Sequence, residues 1–378
     1  MELHRRFTKG ELSLDELEHI AKNAGYPIST LYEELSGRRV EVRKCFVCEG
    51  RLDFIITALV SKIMEALKEV KINSFVMAVK ANSSIELRER SIAEELSIES
   101  WESVRREIKR EVGKIIQRLS RLKPNFRSPD VVILVDLDNI DVNLILLPLY
   151  IKGKYHKLGR YISQMIWISR SGEKKYKLSI EEICKSLTKP VKGKDIKIHA
   201  AGREDVDVRM LGSGRPLIVE IKEPKIKKLS LEELSKDLSK TPWVKVTLED
   251  FALPSDVTKI KSAIHQKVYG ALVYSPKGFS EEDIVKLSKE LRNTLINQLT
   301  PLRVLRRRKE MLRVKKVYEV KGILLNKYLA YFIIRCDGGL YVKELINGDK
   351  GRTNPSFSSI IGKEINVLFL DVLEYLEM

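Results

Sequence analysis

Hydrophobic residues change their spacing near residue 150. Before that point they recur mostly at helical intervals, and residues 51–68 predict an amphipathic helix. Its apolar side consists of Phe54, Ile55, Ala58, Leu59, Ile63 and Leu67. Residues 86–123 continue the helical pattern and become basic in their second half. The apolar segments FVMAVKAN (75–82) and VVILVDLD (131–138) predict strands, so this part of the chain predicts an α/β unit.

Strand-like segments dominate after residue 150. They are LGRYISQMIW, IKIHAAGREDVDVRML, RPLIVEIK, WVKVTLEDF, HQKVYGALVYS, LRRRKEMLRVKKVYEVKGILLNKYLAYFIIRCDGGLYVKELI and INVLFLDVLEY. Two helices are predicted among them, at residues 179–187 and 280–299. Many strands with few helices are typical of an α+β fold on a mixed, largely antiparallel sheet with flanking helices.

The charge of the chain points to its class of partner. Among 378 residues, 69 Lys and Arg face 52 Asp and Glu, which gives a formal net charge of +17. Such an excess favours a polyanion, most often nucleic acid, and the alternative is a lysine-rich surface without such a partner. We expect a small segment at 1–50, an RNA-binding accessory domain at 51–150 and a second domain at 151–378.

Composition also bears on the compartment. The four cysteines show no disulfide framework, which favours a reducing cytoplasm. No apolar run approaches the ~18 residues that a membrane span needs. The first residues, MELHRRFTKGELSLDELEHI, lack the apolar core of a signal peptide. We therefore expect a cytoplasmic protein that does not contact membranes.

The segment AGREDVDVRMLGSGRP (201–216) concentrates opposed charges. Arg203, Asp205, Asp207 and Arg209 occupy alternate positions of a predicted strand, and a glycine-rich turn is expected after them. One interpretation pairs the two aspartates with the two arginines as structural ion pairs. The other places one aspartate in a cleft as nucleophile or base, held ionised by a cation. Gly212 and Gly214 would permit positive φ and close approach of backbone to phosphate.

Four ordered motifs resemble one enzyme family. GREDVDVRML resembles the catalytic segment of pseudouridine synthases, and the longer AGREDVDVRMLGSGRP resembles the THUMP-bearing tRNA pseudouridine synthases of archaea and eukaryotes (the Pus ten family). HQKVYGALVYSPKG, QLTPLRVLRRR and GLYVKELINGDKGRTNPS agree with the same family in the same order. Asn347 stands where the family pattern has histidine. The resemblance covers about residues 155–378 strongly and the N-terminal part loosely.

The resemblance implies roles for six residues. Asp205 would be the catalytic aspartate, and Lys343 the basic residue that keeps it anionic. Tyr269 would stack on the flipped uracil or accept a proton, and Tyr274 in the same strand is the alternative. The apolar walls of the pocket would be Val342 and Leu370, and Arg203 would steer the RNA backbone or help to flip the base.

The implied activity is isomerisation of uridine to pseudouridine in the TΨC loop of tRNA, at position 55 with position 54 as a second candidate. The reaction consumes nothing, so no cofactor is expected, and a monomer is the default. A non-catalytic tRNA-binding protein or chaperone is the alternative. A methyltransferase would need a glycine-rich cofactor loop, which we do not find. A metal-dependent nuclease using Asp136, Asp138 and Asp141 is a further alternative, although turn formation explains these residues equally well.

Two basic segments are candidates for contact with RNA phosphates. The run RVLRRRKEMLRVKK (303–316) holds eight basic residues and one acid, and the second half of the 86–123 helix is also basic. The residues predicted to bind RNA are Arg303, Arg306, Arg307, Arg308, Arg105 and Arg106.

Cys45 and Cys48 form a single CxxC motif. Structural zinc usually takes four ligands, and the family usually has an earlier CxxC that completes the site. No cysteine precedes Cys45 here, and the spacing of His4 and His19 matches no zinc pattern. We favour a vestigial knuckle held by packing, and a zinc site is the alternative.

Overall fold

The computed structural model describes residues 45–80, 83–236, 238, 240–262, 265–306 and 308–377, with a few isolated positions before residue 45. Most of the segment predicted at 1–50 lies outside the described residues, as do His4 and Arg307. The chain forms two compact units. One comprises Met1–Ile63, Ala78–Ile116 and Val135–Val142, and the other comprises Met64–Met77, Gln117–Leu134 and Asn143–Met378. The predicted domain boundary near residue 150 stays a prediction.

Between residues 45 and 147 the described part of the chain contains three helices and four strands. They are α1 (Leu52–Leu67), β1 (Ser74–Val79), α2 (Ser84–Glu95), α3 (Val104–Ser120), β2 (Lys123–Pro124), β3 (Val131–Asp136) and β4 (Asp141–Leu146). The strands form one sheet in the order β2-β1-β3-β4. The single long helix predicted at 86–123 is two helices. Ser83 begins α2 with a capping box to Glu86, and Ser97 with φ 52° lies in the break that follows α2.

The rest of the chain builds a ten-stranded sheet. Its strands are β5 (Leu149–Lys157), β6 (Asp195–Ala200), β7 (Arg209–Lys222), β8 (Val244–Ala252), β9 (His265–Tyr274), β10 (Thr294–Leu299), β11 (Leu312–Asn326), β12 (Leu329–Asp337), β13 (Thr353–Asn354) and β14 (Asn366–Glu377). The helices are α4 (Ile180–Lys185), α5 (Thr188–Val191), α6 (Leu231–Lys236), α7 (Pro254–Ser262), α8 (Glu281–Glu290), α9 (Val342–Asn347) and α10 (Phe357–Ile361).

The sheet runs in the order β13-β10-β11-β12-β9-β14-β7-β5-β8, and β6 pairs with β7. Its described pairings are antiparallel except that of β14 with β7, where Asp371 lies opposite Arg209. The expected mixed, largely antiparallel sheet with flanking helices is therefore confirmed. A continuous apolar core lines it, including Tyr155, Met210, Ala271 and Phe332.

Several segments differ from the predicted elements. LGRYISQMIW (158–167), expected to be strand-like, forms an irregular segment after β5. Residues 201–208 form a loop between β6 and β7 instead of a strand, and Gly202 with φ +75° breaks the extended backbone. Residues 294–299, predicted as the end of a helix, form the strand β10 instead. Its alternate residues Ile296 and Gln298 point inward, as the period of a strand requires. GLYVKELI forms α9, which ends at Gly348 in the left-handed conformation.

The expected glycine-rich turn is also absent: residues 209–222 form one strand, β7. Gly212 and Gly214 do have positive φ, as predicted, at +54° and +76°. A Cβ on Gly212 would lie 1.6 Å from the carbonyl oxygen of Leu373, so this glycine permits close approach of β14 within the chain. Among the described residues, no helix is long and apolar enough to cross a membrane.

Candidate active site

The loop 201–208 is fixed by two buried cations that reach it from neighbouring strands. Lys157, at the end of β5, donates hydrogen bonds to the carbonyl oxygens of Asp205 (2.9 Å), Val206 (3.3 Å) and Ile162 (3.1 Å). Arg215 on β7 donates to the carbonyl oxygen of Ala201 at 2.7 Å. Side chains of β5 and β7 therefore fix the backbone around Asp205.

Glu204 neutralises these cations from within the loop. Its carboxylate lies 2.9 Å from Arg215 Nε and 3.4 Å from Lys157 Nζ, and it accepts a 2.9 Å hydrogen bond from the hydroxyl of Tyr155. Gln164 in turn donates to Tyr155 and to the carbonyl oxygen of Gly202. Burial by itself raises the pKa of Glu204, but the charges of Arg215 and Lys157 outweigh it and hold that pKa below its usual range. The sequence pattern gave no signal for Glu204.

Two cations flank the carboxylate of Asp205, whose side chain is 35% exposed. Arg303 Nη2 lies 2.9 Å from Asp205 Oδ2, and Lys343 Nζ lies 3.6 Å from the same oxygen. Lys343 thus reaches Asp205 as the resemblance implied. The nearer cation is Arg303, which the sequence placed only among the RNA-binding residues.

The other charges of the segment pair differently from the structural interpretation above. Asp207, expected to pair with an arginine, instead binds Lys343 at 2.6 and 2.8 Å. Burial raises the pKa of Asp207, and Lys343 more than reverses that effect. Arg209 binds Asp371 on β14 at 2.6 and 2.9 Å. No described residue forms a hydrogen bond or ion pair with Arg203. The pairing of Arg203 and Arg209 with Asp205 and Asp207 is therefore wrong.

Asp205 opens into a cavity of about 650 Å³, within the ~300–1,000 Å³ typical of small-molecule sites. Five other residues predicted for the site also line it: Arg203, Tyr269, Val342, Lys343 and Leu370. They come from the loop, β9, α9 and β14, which the sheet brings to one place. The motifs are far apart in sequence and converge here.

Tyr269 and Lys267 stand two residues apart on β9 and both line this cavity. Burial raises the pKa of Tyr269, so its hydroxyl stays protonated at neutral pH. Lys267, which sequence analysis missed, is 7% exposed, and burial together with the charge of Arg215 lowers its pKa to about 7. Tyr274 at the end of β9 is exposed and is not among the residues that line the cavity.

A short 3₁₀ turn at Leu302–Val304 turns Arg303 inward from the basic run. Its guanidinium binds both Asp205 and the buried Glu344 of α9, with Nε 2.6 Å from Glu344 Oε1. Burial by itself lowers the pKa of Arg303. The ion pairs with Glu344 and Asp205 raise it by more, so the pKa lies above its usual range. Arg303 therefore links the 201–208 loop to α9.

The remaining RNA-binding candidates differ in availability. Arg308 is exposed and lines the cavity rim beside the hydroxyl of Tyr341, and Arg306 is exposed. Arg106 is exposed on α3, whereas Arg105 binds the carbonyl oxygen of Val79 and Glu86 within its own unit. Phosphate contact by these residues stays a prediction.

Cys45 and Cys48 are both free, and Cys48 is buried. The two thiols would supply half of a tetrahedral zinc site. Among the described residues, no group of three His, Cys, Asp or Glu side chains could hold a metal ion. The described residues around Cys45 therefore do not fit a complete zinc site. The described residues around Asp136, considered above for a nuclease, do not form a metal site either. The carboxylate of Asp136 accepts hydrogen bonds from Lys80 and Asn139.

Comparisons with known proteins show the family of this chain. The family model "Pus10, C-terminal" matches residues 150–375, and "Pus10 THUMP domain, archaeal" matches residues 59–136. A relative from Ignisphaera aggregans, "tRNA pseudouridine synthase Pus10", is 41% identical over 99% of this chain and 88% of its own. One of the same name from Methanocaldococcus jannaschii is 38% identical over 96% of this chain and 81% of its own.

Among solved structures, a Cbf5-Nop10-Gar1 complex aligns with 59% of this chain and 58% of its own chain, at 15% identity and a TM-score of 0.33. That likeness is too low to carry an argument. The family models together match most of the chain, and the archaeal relatives match nearly all of it. The chain therefore belongs to the Pus10 family of tRNA pseudouridine synthases and is an isomerase.

Proposed function

We propose that this protein isomerises uridine in the TΨC loop of tRNA, at position 55 with position 54 as a second candidate, and that Asp205 is its catalytic carboxylate. One observation carries the assignment of Asp205. Its carboxylate lines the cavity and lies 2.9 Å from Arg303 Nη2 and 3.6 Å from Lys343 Nζ, so two cations flank the acid that would act on the uridine. The choice of tRNA loop rests on the motif resemblance.

The cavity suits a nucleobase taken out of its stack. The reacting face of uracil is hidden in a folded RNA loop, so the nucleotide must flip before it can react. The ring of Tyr269 would stack on the uracil, opposite the apolar side chains of Val342 and Leu370. Because the phenol of Tyr269 stays protonated, we assign it stacking and not proton acceptance.

The reaction breaks the N1–C1′ glycosidic bond and forms a C5–C1′ bond within the same nucleotide; C5 gives up its proton and N1 takes one up, so the composition is unchanged. Nothing is consumed, so no cofactor takes part in the proposed reaction. Arg308 at the cavity rim and the exposed Arg306, two residues before it in the chain, would contact tRNA phosphates beside the reacting loop. We propose that the protein acts as a monomer.

The test is pseudouridine mapping on an unmodified tRNA transcript, with wild type and Asp205→Asn. Asp250→Asn is the matched control, because Asp250 is an exposed aspartate on β8 of the same unit. We expect a new pseudouridine in the TΨC loop with wild type and the control, and none with Asp205→Asn.

Three results would count against all or part of the proposal. Pseudouridine formation by Asp205→Asn at the wild-type rate would remove Asp205 from catalysis. Tight tRNA binding without pseudouridine in any protein would favour the non-catalytic tRNA-binding alternative. A pseudouridine outside the TΨC loop would keep the role of Asp205 and correct the substrate position.

A further inference from the structure

A second cavity lies beside the first. It has a volume of about 450 Å³, and Trp167 and Tyr176 line this cavity but not the first. Asp205, Arg203 and Arg303 line both cavities. Two cavities with a common wall can hold two consecutive nucleotides of one strand.

The aromatic side of this cavity is a hairpin-like segment, residues 163–180. Ile168 pairs with Lys174 as an antiparallel bridge, and Gly172 with φ +84° forms the turn. The backbone amide of Lys175 donates to the carbonyl oxygen of Trp167 at 2.8 Å. The rings of Trp167 and Tyr176 are thereby set side by side, with centroids 5.9 Å apart.

This segment is anchored at its base to the catalytic loop and to α4. Gln164 donates to the carbonyl oxygen of Gly202 at 3.1 Å, and the amide of Ile166 donates to Glu181 at 2.7 Å. Ser163 and Ile180 are joined through their backbones at 3.0 Å. Trp167 and Tyr176, the aromatic platform, are therefore positioned relative to Asp205 by hydrogen bonds within the chain.

The chemistry of the platform matches unpaired nucleic acid. Lys175 Nζ lies 4.9 Å from the centre of the Trp167 ring, and the segment also carries Arg170, Lys174 and Lys177. Aromatic rings with nearby cations are how proteins hold single-stranded bases and their phosphates. Arg203, between the two cavities, is exposed, and no described residue binds its guanidinium.

We propose that the second cavity is a nucleobase site. An unpaired base next to the target uridine stacks on Trp167, while Arg203 contacts the phosphate between the two nucleotides. The enzyme then holds two consecutive nucleotides out of the RNA loop. The inference rests on the placement of the target uridine at Asp205.

The experiment measures equilibrium binding of the full-length protein to tRNA transcripts that each lack one base of the TΨC loop, at one fixed salt concentration. Wild type is compared with Trp167→Leu, which keeps apolar volume without a π-face, and with Trp167→Phe, which keeps a ring. Trp243→Leu is the control, since Trp243 is an exposed tryptophan outside both cavities. Circular dichroism confirms folding, and pseudouridine formation on the intact transcript is measured in parallel.

We expect one abasic position beside the target to weaken wild-type binding by roughly 5- to 150-fold, the range for loss of one stacked base. Trp167→Leu should bind intact tRNA more weakly than wild type by the same factor. Removal of the base should not weaken the binding of this variant any further. Trp167→Phe should retain most of the affinity, and Trp243→Leu all of it.

Equal abasic losses in wild type and Trp167→Leu would overturn the stacking site, as would wild-type affinity of Trp167→Leu for intact tRNA. These results are independent of turnover. Failure of wild type to form pseudouridine would instead contradict the proposed function, whatever the binding data show.

Discussion

Glu204→Gln tests whether buried charges hold the 201–208 loop. The carboxylate of Glu204 is 3% exposed and contacts Arg215 and Lys157, whose side chains are each 1% exposed. The amide of glutamine keeps the shape and one acceptor but removes the negative charge. Two cations then remain buried without their anion, beside the neutral hydroxyl of Tyr155.

Removing one partner of a buried ion pair costs roughly 3–5 kcal/mol, because the remaining charge is left uncompensated. Both cations keep their hydrogen bonds to loop carbonyls, so we expect a loss of about 3–5 kcal/mol and not twice that. Because pairing depresses the pKa of Glu204, its stabilisation is present above the unfolded-state pKa and is lost as pH falls through the folded-state pKa. The difference between variant and wild type should therefore be full at pH 7 and shrink below about pH 4.

The assay is urea unfolding followed by tryptophan fluorescence in a Trp101→Phe background. Trp167 and Trp243 then report only on the unit that contains the active site. Glu249→Gln is the matched control, since Glu249 forms an exposed ion pair with Lys154 and should cost less than about 1 kcal/mol. A Glu204→Gln protein as stable as this control at pH 7 would refute the reasoning.

Three further predictions concern single positions. Arg303→Gln should lower kcat for pseudouridine formation by roughly 100-fold, because it removes a positive charge beside Asp205. Single-turnover assays measure this effect. A rise in KM alone would show that Arg303 only binds RNA. Lys267→Met should raise stability at pH 7, because the lowered pKa of Lys267 makes its protonation unfavourable to the fold. This gain should shrink towards pH ~10.4, where the unfolded chain also loses the proton, and a pH-independent difference in urea unfolding would contradict the assignment. Gly212→Ala should destabilise by more than the ~1 kcal/mol of a tolerated glycine change, because the new Cβ meets the carbonyl of Leu373; wild-type thermal stability would show that β14 moves away.

The sequence predicted the residues of the site better than their contacts. Asp205, Tyr269 and Lys343 each lie in a sequence motif, and a motif can be recognised even where the predicted secondary structure is wrong. Arg303 begins a run with eight basic residues and one acid, and that composition predicted contact with RNA phosphates. Only the 3₁₀ turn, and a buried Glu344 forty-one residues away, direct it inward.

Local periodicity failed where tertiary contacts decide the backbone. Alternating charge at 203–209 predicted a strand, but Lys157 and Arg215 capture the loop carbonyls, and these partners cannot be found from spacing. The helix α9 was predictable in retrospect, since Val342, Leu345 and Ile346 follow helical spacing and Gly348 follows Asn347 as a stop signal.

Lys157 and Arg215 also affect the conformational entropy that the 201–208 loop would lose when substrate binds. A free loop of this length would sample many conformations, and ordering it on substrate binding would weaken affinity and slow the reaction. Here the strands β5 and β7 impose one arrangement, so that disorder is lost once, when the chain folds, and not at every turnover. The thermal limit of activity should consequently coincide with the unfolding of the sheet and not with an earlier melting of the loop.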